Sequence, residues 1–439
     1  MKSVYIRDVC SFQVGTLVTI LGWLTGRRRH GQVIFLDLSD STGKIQLVLE
    51  KKTISKNDFL TAKHLLFESA LEITGWLQEN PQTKMQELHV QSLRVISEAT
   101  VRISPQIREE FDVFDPDMTD HLLSHRHLYL RNPKIAAIMR FRDTLLWEAR
   151  RWFRGHQFME VTAPILTPVP LYEDGSALSL HINGEKVFLT QCVGYYLESA
   201  VHAFERVYNI GPSFRGEESR SKRHLMEYWH IKAEAAFGTL EDIITLVEDV
   251  IASLTNACRA CGEETTKVLG TAYSLEGCVQ PFPRMKYRDA IMYLQKKGCD
   301  ISFGKGLSSV EEEILSRDYD GPFWIVGIPR VVEPFPYVID PDDPEVTRTA
   351  DLIAPRGYGE LLGVAEKIVG LPMLQERMKE KGKLDDKRYE WIRELRGFGP
   401  VPHIAFGMGV ERLMRWLLNI EHVRDAIPFP RTFRRSVYP

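Results

Sequence analysis

The strongest constraint on the fold comes from the first hundred residues, which have the pattern of five short strands. In each segment apolar residues alternate with polar ones or run without a break, and turns such as Ser39–Gly43 separate the segments. The five segments are Val18–Leu24, Val33–Leu38, Lys44–Leu49, Leu71–Leu77 and Glu87–Val90 with the residues that follow it. One helical insert is expected near Lys56–Phe67. Because five short strands with one helical insert suit a small closed barrel, we predict such a barrel over residues 1–100.

Cationic and aromatic residues give this barrel a candidate nucleic-acid surface. Arg27–His30 is a run of three arginines and a histidine, and Trp23 and Phe35 lie in neighbouring segments. Barrels of the oligonucleotide-binding (OB) type bind single strands with such groups, because bases stack on aromatic rings and cations follow the phosphates. A packed phenylalanine and a solvated arginine loop would give the same pattern. Composition leaves both interpretations open.

Length and composition favour a multidomain protein of the cytoplasm. A chain of 439 residues suggests two or three domains, and 44% hydrophobic with 26% charged residues is typical of globular proteins. No apolar run approaches the roughly 20 residues that cross a bilayer, and the first residues do not have the pattern of a secretion signal, so no membrane partner is expected. The net charge of −3 does not exclude nucleic acid, which binds to local basic patches.

The six cysteines are few and scattered, which predicts reduced thiols. Cys258 and Cys261 have zinc-like spacing, but the sequence has no second close pair of cysteines. We therefore expect no metal at these cysteines.

A charged connector over residues 101–132 is predicted to join the barrel to a second domain over residues 133–439. In that domain strands alternate with helices, and one amphipathic helix is expected to begin at Thr239. The expected fold class is α+β.

A long helix is predicted at the start of the second domain. Asn132 is a candidate N-cap, Pro133 suits the first helical position, and Gly155 is a candidate C-cap. Apolar residues lie nearly all round the segment from Ile135 to Trp152. This pattern is typical of a dimer interface, and a helix buried within one subunit would share it.

Two distant segments, Phe214–Trp229 and Phe406–Arg412, combine an arginine with acidic partners. Each alone could be a set of surface ion pairs, but the planar guanidinium also suits phosphate oxygens. Together they could support formation of an acyl-adenylate from ATP, which needs positioning and charge neutralisation more than proton transfer. In that reaction Arg215 would neutralise the α-phosphate and Arg412 would hold the far end of the triphosphate, which makes both candidate catalytic residues. The candidate ATP-binding residues are Arg215, Glu217, His224, Tyr228, Glu360 and Arg412.

Two carboxylates are candidate metal ligands. Asp351 and Glu360 offer hard oxygen atoms that could share Mg²⁺ with the phosphates of ATP. ATP and Mg²⁺ are therefore the expected cofactors.

The order of these segments resembles motifs 2 and 3 of class II aminoacyl-tRNA synthetases. The aspartyl and asparaginyl branch is the most similar, since Leu123–Leu128, Val207–Arg215 and His422–Arg431 also match its pattern. Leu197 and Glu198 stand where the aspartyl enzymes carry Lys-Gln, which favours the asparaginyl branch. The resemblance covers about residues 15–431.

The resemblance implies an anticodon-binding OB barrel, a catalytic domain with an antiparallel sheet flanked by helices, and a homodimer. It implies ATP, Mg²⁺, tRNA and an amino acid as partners. Phe35, Gln46 and Glu98 fall on family positions that read the central anticodon base.

The amino-acid pocket departs from the family pattern. Cys192–Gly194 replaces a Ser-Gly-Gln or Ser-Pro-Gln segment, Lys232 replaces an acid that faces the substrate's α-ammonium, and Lys367 replaces an arginine that grips its side chain. His403 begins a His-Ile-Ala segment in place of His-Gly-Gly or His-Ala-Gly. The substrate-binding residues that the resemblance implies are Glu173, Gly194, Glu198, Lys232, Glu234, Gly363, Lys367 and His403.

A lysine in place of that acid allows two interpretations. Lys232 could swing to solvent while Glu173 holds the substrate amine, or the substrate could lack a free ammonium group there or present a second carboxylate to Lys232. An asparagine-type ligase acting on tRNA is the main functional prediction. The alternatives are a related enzyme that adenylates another acid for amide formation outside translation, and a non-catalytic tRNA-binding regulator.

Overall fold

The computed structural model describes residues 2–9, 11–171, 174–219 and 221–438. The chain forms two compact units, Met1–Phe111 and Asp112–Pro439. Residues 101–132, predicted as a connector, contribute to both units and include short helices in the second.

The first unit is a closed barrel of five strands in the order β1-β2-β3-β5-β4, which confirms the predicted OB-type barrel. β3 and β5 pair in parallel and the other neighbours are antiparallel. Side chains alternate across each strand, so Leu71, Ile73 and Leu77 of β4 are fully buried inside the barrel. The elements are α1 (Ile6–Val9), β1 (Leu17–His30), β2 (Val33–Ser39), β3 (Lys44–Glu50), α2 (Lys56–His64), β4 (Ala70–Glu79) and β5 (Gln86–Ser97).

The arginine run of the barrel lies on a strand and not in a loop. β1 continues through Arg27–His30, and Arg28 stands opposite Phe35 of β2. The expectation of a solvated arginine loop is therefore wrong, because pairing with β2 continues to His30.

The second unit contains helices and strands in alternation, with short 3-10 turns between some of them. Its helices are α3 (Thr119–Ser124), α4 (Arg126–Tyr129), α5 (Pro133–Gly155), α6 (Gly194–Phe204), α7 (Leu240–Ala257), α8 (Arg259–Leu269), α9 (Tyr287–Lys296), α10 (Ser309–Ser316), α11 (Leu371–Glu380), α12 (Glu390–Glu394) and α13 (Val410–Leu417). Its strands are β6 (Met159–Glu160), β7 (Leu166–Thr167), β8 (Ser179–Ile182), β9 (Glu185–Leu189), β10 (Arg206–Phe214), β11 (Glu227–Ala236), β12 (Arg284–Lys286), β13 (Phe323–Val326), β14 (Thr349–Ala354), β15 (Gly359–Lys367) and β16 (His403–Gly409).

An eight-stranded sheet organises the described part of this unit, in the order β12-β13-β14-β15-β16-β11-β10-β6. Only the two edge pairs, β12 with β13 and β10 with β6, are parallel. One face packs its apolar residues, among them Ile231, Phe406 and Met408, into the core with α5, α7 and α13. The alternate residues of the same strands face the other way and form the floor of a cleft.

Helix α5 has one buried face. Asn132 caps it by accepting a hydrogen bond from the backbone N–H of Lys134 at 3.0 Å, as predicted. The predicted cap at Gly155 is wrong: Gly155 is the last helical residue, and Gln157 takes the left-handed conformation with φ of 64°. The face that the described chain leaves exposed is mixed: the charged Arg140 and Asp143 lie there together with Trp147, which is 66% exposed.

Helix α7 begins as predicted. Thr239 and Asp242 form a capping box, which satisfies the first backbone N–H groups. Cys258 follows the helix in the core, where burial raises the pKa of its thiol to about 12. It is therefore a packed, protonated thiol.

Candidate active site

Four strands build the floor of the cleft. Their register places Lys232 of β11, Gly407 of β16, Gly363 of β15 and Asp351 of β14 in one row across the sheet. A Cβ on Gly407 would lie 2.8 Å from Nε2 of His230, and a Cβ on Gly363 would lie 2.9 Å from Oδ1 of Asp351. A side chain at either position would displace a neighbouring cleft residue, and with glycine at both the floor between Lys232 and Asp351 carries no side chain.

The cleft above this floor has a volume of about 970 Å³, including the part that opens to solvent. It brings together most of the sequence-predicted ATP and metal residues. Its predicted members are Arg215, His224, Tyr228, Lys232, Asp351, Glu360, Gly363 and Arg412. Glu217 lies in a smaller adjoining hollow, which shares Arg215 and His224 with the cleft.

Arginines and carboxylates alternate at one side of the cleft. An Nη of Arg412 lies 3.0 Å from a carboxylate oxygen of Glu360, and Arg223 pairs with the buried Glu312. Glu312 also accepts a hydrogen bond of 2.6 Å from the backbone N–H of Glu360. Burial opposes ionisation of Glu360, but the charges of Arg412, Arg223 and Arg215 outweigh burial and hold the pKa of Glu360 at about 2. Glu360 is therefore charged at neutral pH.

Two further carboxylates lie in the same cleft and resist ionisation. Burial and the charges of Glu360, Glu333 and Glu312 raise the pKa of Asp351 well above its usual range. Burial also raises the pKa of Glu333 to about 7, although Thr349 donates a hydrogen bond to it. Acidic groups that raise one another's pKa in this way favour binding of a cation, which would neutralise their charge. The described residues hold no group of three metal-binding side chains, so phosphate or water oxygens would have to complete a Mg²⁺ shell.

His224 is held neutral beside the arginines. Its Nδ1 lies 3.0 Å from Oγ of Ser219 and also contacts Oγ of Ser221. Burial, and then Arg412 and its neighbours, lower the pKa of His224 to about 4. A neutral ring can donate or accept a hydrogen bond without adding charge. The phenol of Tyr228 donates a 3.4 Å hydrogen bond to the carbonyl of Gln191.

Four of the predicted substrate residues form a buried ionic cluster beside the cleft. Nζ of Lys367 lies 3.1 Å from Glu198 and 3.7 Å from Glu234, and Nε2 of His403 lies 3.8 Å from Glu234. Arg396 also pairs with Glu198. The two carboxylates behave differently: Lys367 and Arg396 overcome burial and depress the pKa of Glu198, whereas burial raises the pKa of Glu234 to about 7.

Lys232 remains in the pocket. It is 8% exposed and lines the cleft, so the interpretation in which it swings to solvent is wrong. Gly194, the first residue of α6, lies beside its ammonium group. Glu173 falls outside the described residues.

In the barrel, two of the three predicted anticodon residues are close together. Phe35 on β2 and Gln46 on β3 are half-buried, and their strands pair with Asp37 opposite Gln46. Gln46 accepts a 2.8 Å hydrogen bond from Arg28 and donates one of 2.8 Å to Glu87. Glu98 is exposed just after β5.

Several cleft residues were missed from the sequence. Arg223, His230, Glu333 and Tyr337 line the cleft, and Arg396 completes the buried cluster. Arg223 and His230 lie in or next to the segment already singled out, so they could have been found there. Glu333, Tyr337 and Arg396 come from loops whose local sequence gives no signal.

The fold and the site together define a class: an OB barrel joined to a class II synthetase catalytic domain. The family described as tRNA synthetases class II (D, K and N) matches residues 118–433, and an OB-fold nucleic acid binding domain matches residues 18–96. Asparagine–tRNA ligase of Pyrococcus abyssi is 36% identical over 441 residues, covering 100% of both chains. The chain belongs to the class II tRNA synthetases of the D, K and N family.

Solved structures show the same likeness. The asparaginyl-tRNA synthetase of Pyrococcus horikoshii, in complex with asparaginyl-adenylate, has a TM-score of 0.92 at 35% identity and 100% coverage of both chains. The asparaginyl-tRNA synthetase of Entamoeba histolytica, in complex with the same adenylate, has a TM-score of 0.87 at 28% identity and 99% coverage of both. No helix in the described parts of the chain combines the length and apolarity that a membrane crossing requires.

Proposed function

We propose that this protein is a ligase that activates a carboxylic acid with ATP and transfers it to tRNA, in the manner of asparagine–tRNA ligases. The observation that carries the proposal is the cleft in which Arg215, Arg223 and Arg412 surround Glu360 above a floor of glycines. Asparagine is the amino acid in the names of the relatives and the first acid to test.

The residues of the cleft would act mainly by position and charge. An oxygen of the substrate carboxylate attacks the α-phosphorus of ATP, and the bond to the bridging oxygen breaks, so that pyrophosphate leaves with the electron pair. Arg215 would stabilise the charge that develops on the α-phosphate, and Arg412 would hold the β- and γ-phosphates. Tyr228 would stack on adenine, with Glu217 and His224 as hydrogen-bond partners. In the second step a ribose hydroxyl of tRNA attacks the acyl carbon, and AMP leaves.

Mg²⁺ would be held by Asp351 and Glu360. The raised pKa of Asp351 supports this role, because a divalent cation would let the neighbouring acids ionise together. When bound, Mg²⁺ would neutralise phosphate charge. Glu360 would then serve both the metal and Arg412.

The amino-acid end of the cleft would be formed by Gly194, Lys232 and Gly363. Glu198, Glu234, Lys367 and His403 would form its inner wall, and Glu173 stays a prediction. Burial of the four wall residues supports a fixed pocket, because Lys367 contacts both Glu198 and Glu234, and the neutral ring of His403 lies beside Glu234.

The barrel would bind the anticodon of tRNA. Phe35 would stack on a base, and Gln46 and Glu98 would contact base edges. The hydrogen bonds that fix the Gln46 side chain between Arg28 and Glu87 support this role, because a fixed amide can discriminate bases. Because tRNA is the proposed acceptor, we place the enzyme in the cytoplasm, where ribosomes consume aminoacyl-tRNA.

We also infer a homodimer through α5. The exposed indole of Trp147 lies on the face of α5 that the rest of the chain leaves uncovered, which supports this assignment. Sedimentation velocity on the protein and on Trp147→Glu would test it, with a monomeric wild type counting against it.

The experiment for the whole function is acylation of total tRNA, read as a mobility shift on an acid gel. ATP, Mg²⁺ and an acid from a panel that begins with asparagine and aspartate should give a shifted band that is absent when the tRNA is first oxidised with periodate. Activation of an acid without any acylated tRNA would favour the enzyme that works outside translation. Binding of tRNA without activation of any acid would leave the non-catalytic regulator.

A further inference from the structure

Lys232 is a buried cation with no carboxylate partner among the residues that the structure describes. The side chain rises from β11 beside Gly407 and reaches α6: a Cβ on Gly194 would lie 3.3 Å from Cε and 3.5 Å from Nζ of Lys232. In the described residues no carboxylate oxygen lies within 4.0 Å of its Nζ. Glu234, two residues along the same strand, is directed to Lys367 and His403. A buried ammonium in this position is costly unless an anion joins it.

The surroundings of Lys232 keep it charged and add positive potential. Burial opposes the charge, but the Cys192 thiol, Glu234 and Tyr228 outweigh it and raise the pKa of Lys232. Helix α6 begins at Gly194, whose N–H donates a 3.3 Å hydrogen bond to Sγ of Cys192, and its first turn contains no acidic residue. The positive end of this 11-residue helix therefore adds to the field of Lys232.

This cation lines the same cleft as Arg215. His230 is next to Lys232 on the same face of β11. Burial lowers the pKa of His230, and the charges of Lys232 and Arg215 lower it further, to about 3. His230 is therefore neutral. Arg215, His230 and Lys232 all line the same cleft, so the cleft offers a small molecule two cations.

We propose that Lys232 and the first turn of α6 form an anion subsite that holds a second carboxylate of the acid substrate. One carboxylate is activated beside Arg215, and the other pairs with the Lys232 ammonium. The substrate class is thus a dicarboxylic acid, and a neutral amide at the second position binds less well. The inference rests on the proposed adenylation and names only which acids the enzyme takes.

Matched pairs of acids test the subsite. Succinate and succinamate differ only by a carboxylate in place of an amide, and so do aspartate and asparagine. In ATP–pyrophosphate exchange, kcat/KM should be at least tenfold higher for the dicarboxylate in one or both pairs. Lys232→Met, which keeps the length of the side chain but removes its charge, should bring that ratio close to one. Lys267→Met, an exposed lysine on α8, is the control and should keep the ratio of the wild type.

The outcomes separate this inference from the proposed function. Exchange that prefers the amide of each pair, or a dicarboxylate preference that survives Lys232→Met, overturns the subsite while adenylation stands. Exchange with no acid at all overturns the proposed function. Calorimetric titration of the same dicarboxylate into wild-type and Lys232→Met protein gives a readout that does not depend on turnover, and equal affinities would also overturn the subsite.

Discussion

The buried ion pair between Arg142 and Glu411 offers the sharpest test of how the catalytic unit is held together. An Nη of Arg142 on α5 lies 2.7 Å from Glu411 on α13, and the two side chains are 8% and 2% exposed. Arg142 also donates a 3.1 Å hydrogen bond to the carbonyl of Ala426, and Glu411 accepts one of 3.1 Å from the backbone N–H of Trp229. The pair therefore fixes α5 to the residue that precedes Arg412.

Arg142→Met should lower the free energy of unfolding by about 3–5 kcal/mol at pH 8, because it leaves the Glu411 carboxylate buried without its cation. Burial already raises the pKa of Glu411, and Arg142 opposes that rise. Without Arg142 the folded-state pKa rises further above its unfolded value, so stability is lost as the pH increases through the folded pKa. The deficit should consequently be smaller at pH 5.5 than at pH 8.

Urea unfolding of the full chain, followed by circular dichroism at both pH values, measures the effect. The double variant Arg142→Met, Glu411→Leu should recover most of the loss, because it removes both charges. Arg259→Met is the control: its partner Glu263 lies 2.8 Å away and both side chains are more than half exposed, so a change below about 0.5 kcal/mol is expected. A deficit for Arg142→Met under about 1 kcal/mol, or one that is equal at both pH values, would refute the reasoning.

Three further predictions concern the cleft and the barrel. Gly407→Ala should reduce kcat/KM for the acid at least tenfold in pyrophosphate exchange, because the new Cβ would lie 2.8 Å from the His230 ring. An unchanged kcat/KM would show that the cleft floor tolerates a side chain at this position. The pKa of His224 is lowered to about 4, so protonation of His224 should not change the affinity for ATP between pH 5.5 and 8, as measured by calorimetry. A change in affinity near pH 6.5 that His224→Gln abolishes would contradict this prediction. Phe35→Ala should weaken tRNA binding in a filter assay by about 1–3 kcal/mol and leave pyrophosphate exchange intact, whereas equal binding would remove Phe35 from the interface.

The sequence predicted the barrel, and it singled out residues that the structure brings together in one cleft, because both depend on local patterns. Period-two alternation defines strands such as β4, and the arginine segments around Arg215 and Arg412 are continuous in sequence. The cap of α5 was mispredicted because Gly155 resembles a helix terminator, although it is the last helical residue and His156 is the C-cap. The position of Lys232 could not be predicted, because it depends on room left by Gly194 and Gly407 from two other elements. Arg396 was missed for the same reason, since its partner Glu198 is nearly two hundred residues away along the chain.

The most direct test of the central claim is acid-dependent exchange of pyrophosphate into ATP by the purified protein with Mg²⁺. We expect exchange that requires an added carboxylic acid and falls by about a hundredfold or more in Arg412→Ala, because that variant removes a cation that would hold the leaving phosphates. Arg259→Met should exchange at the wild-type rate, and circular dichroism should show both variants folded. Absence of exchange with every acid, or an Arg412→Ala variant as active as the wild type, would contradict the account.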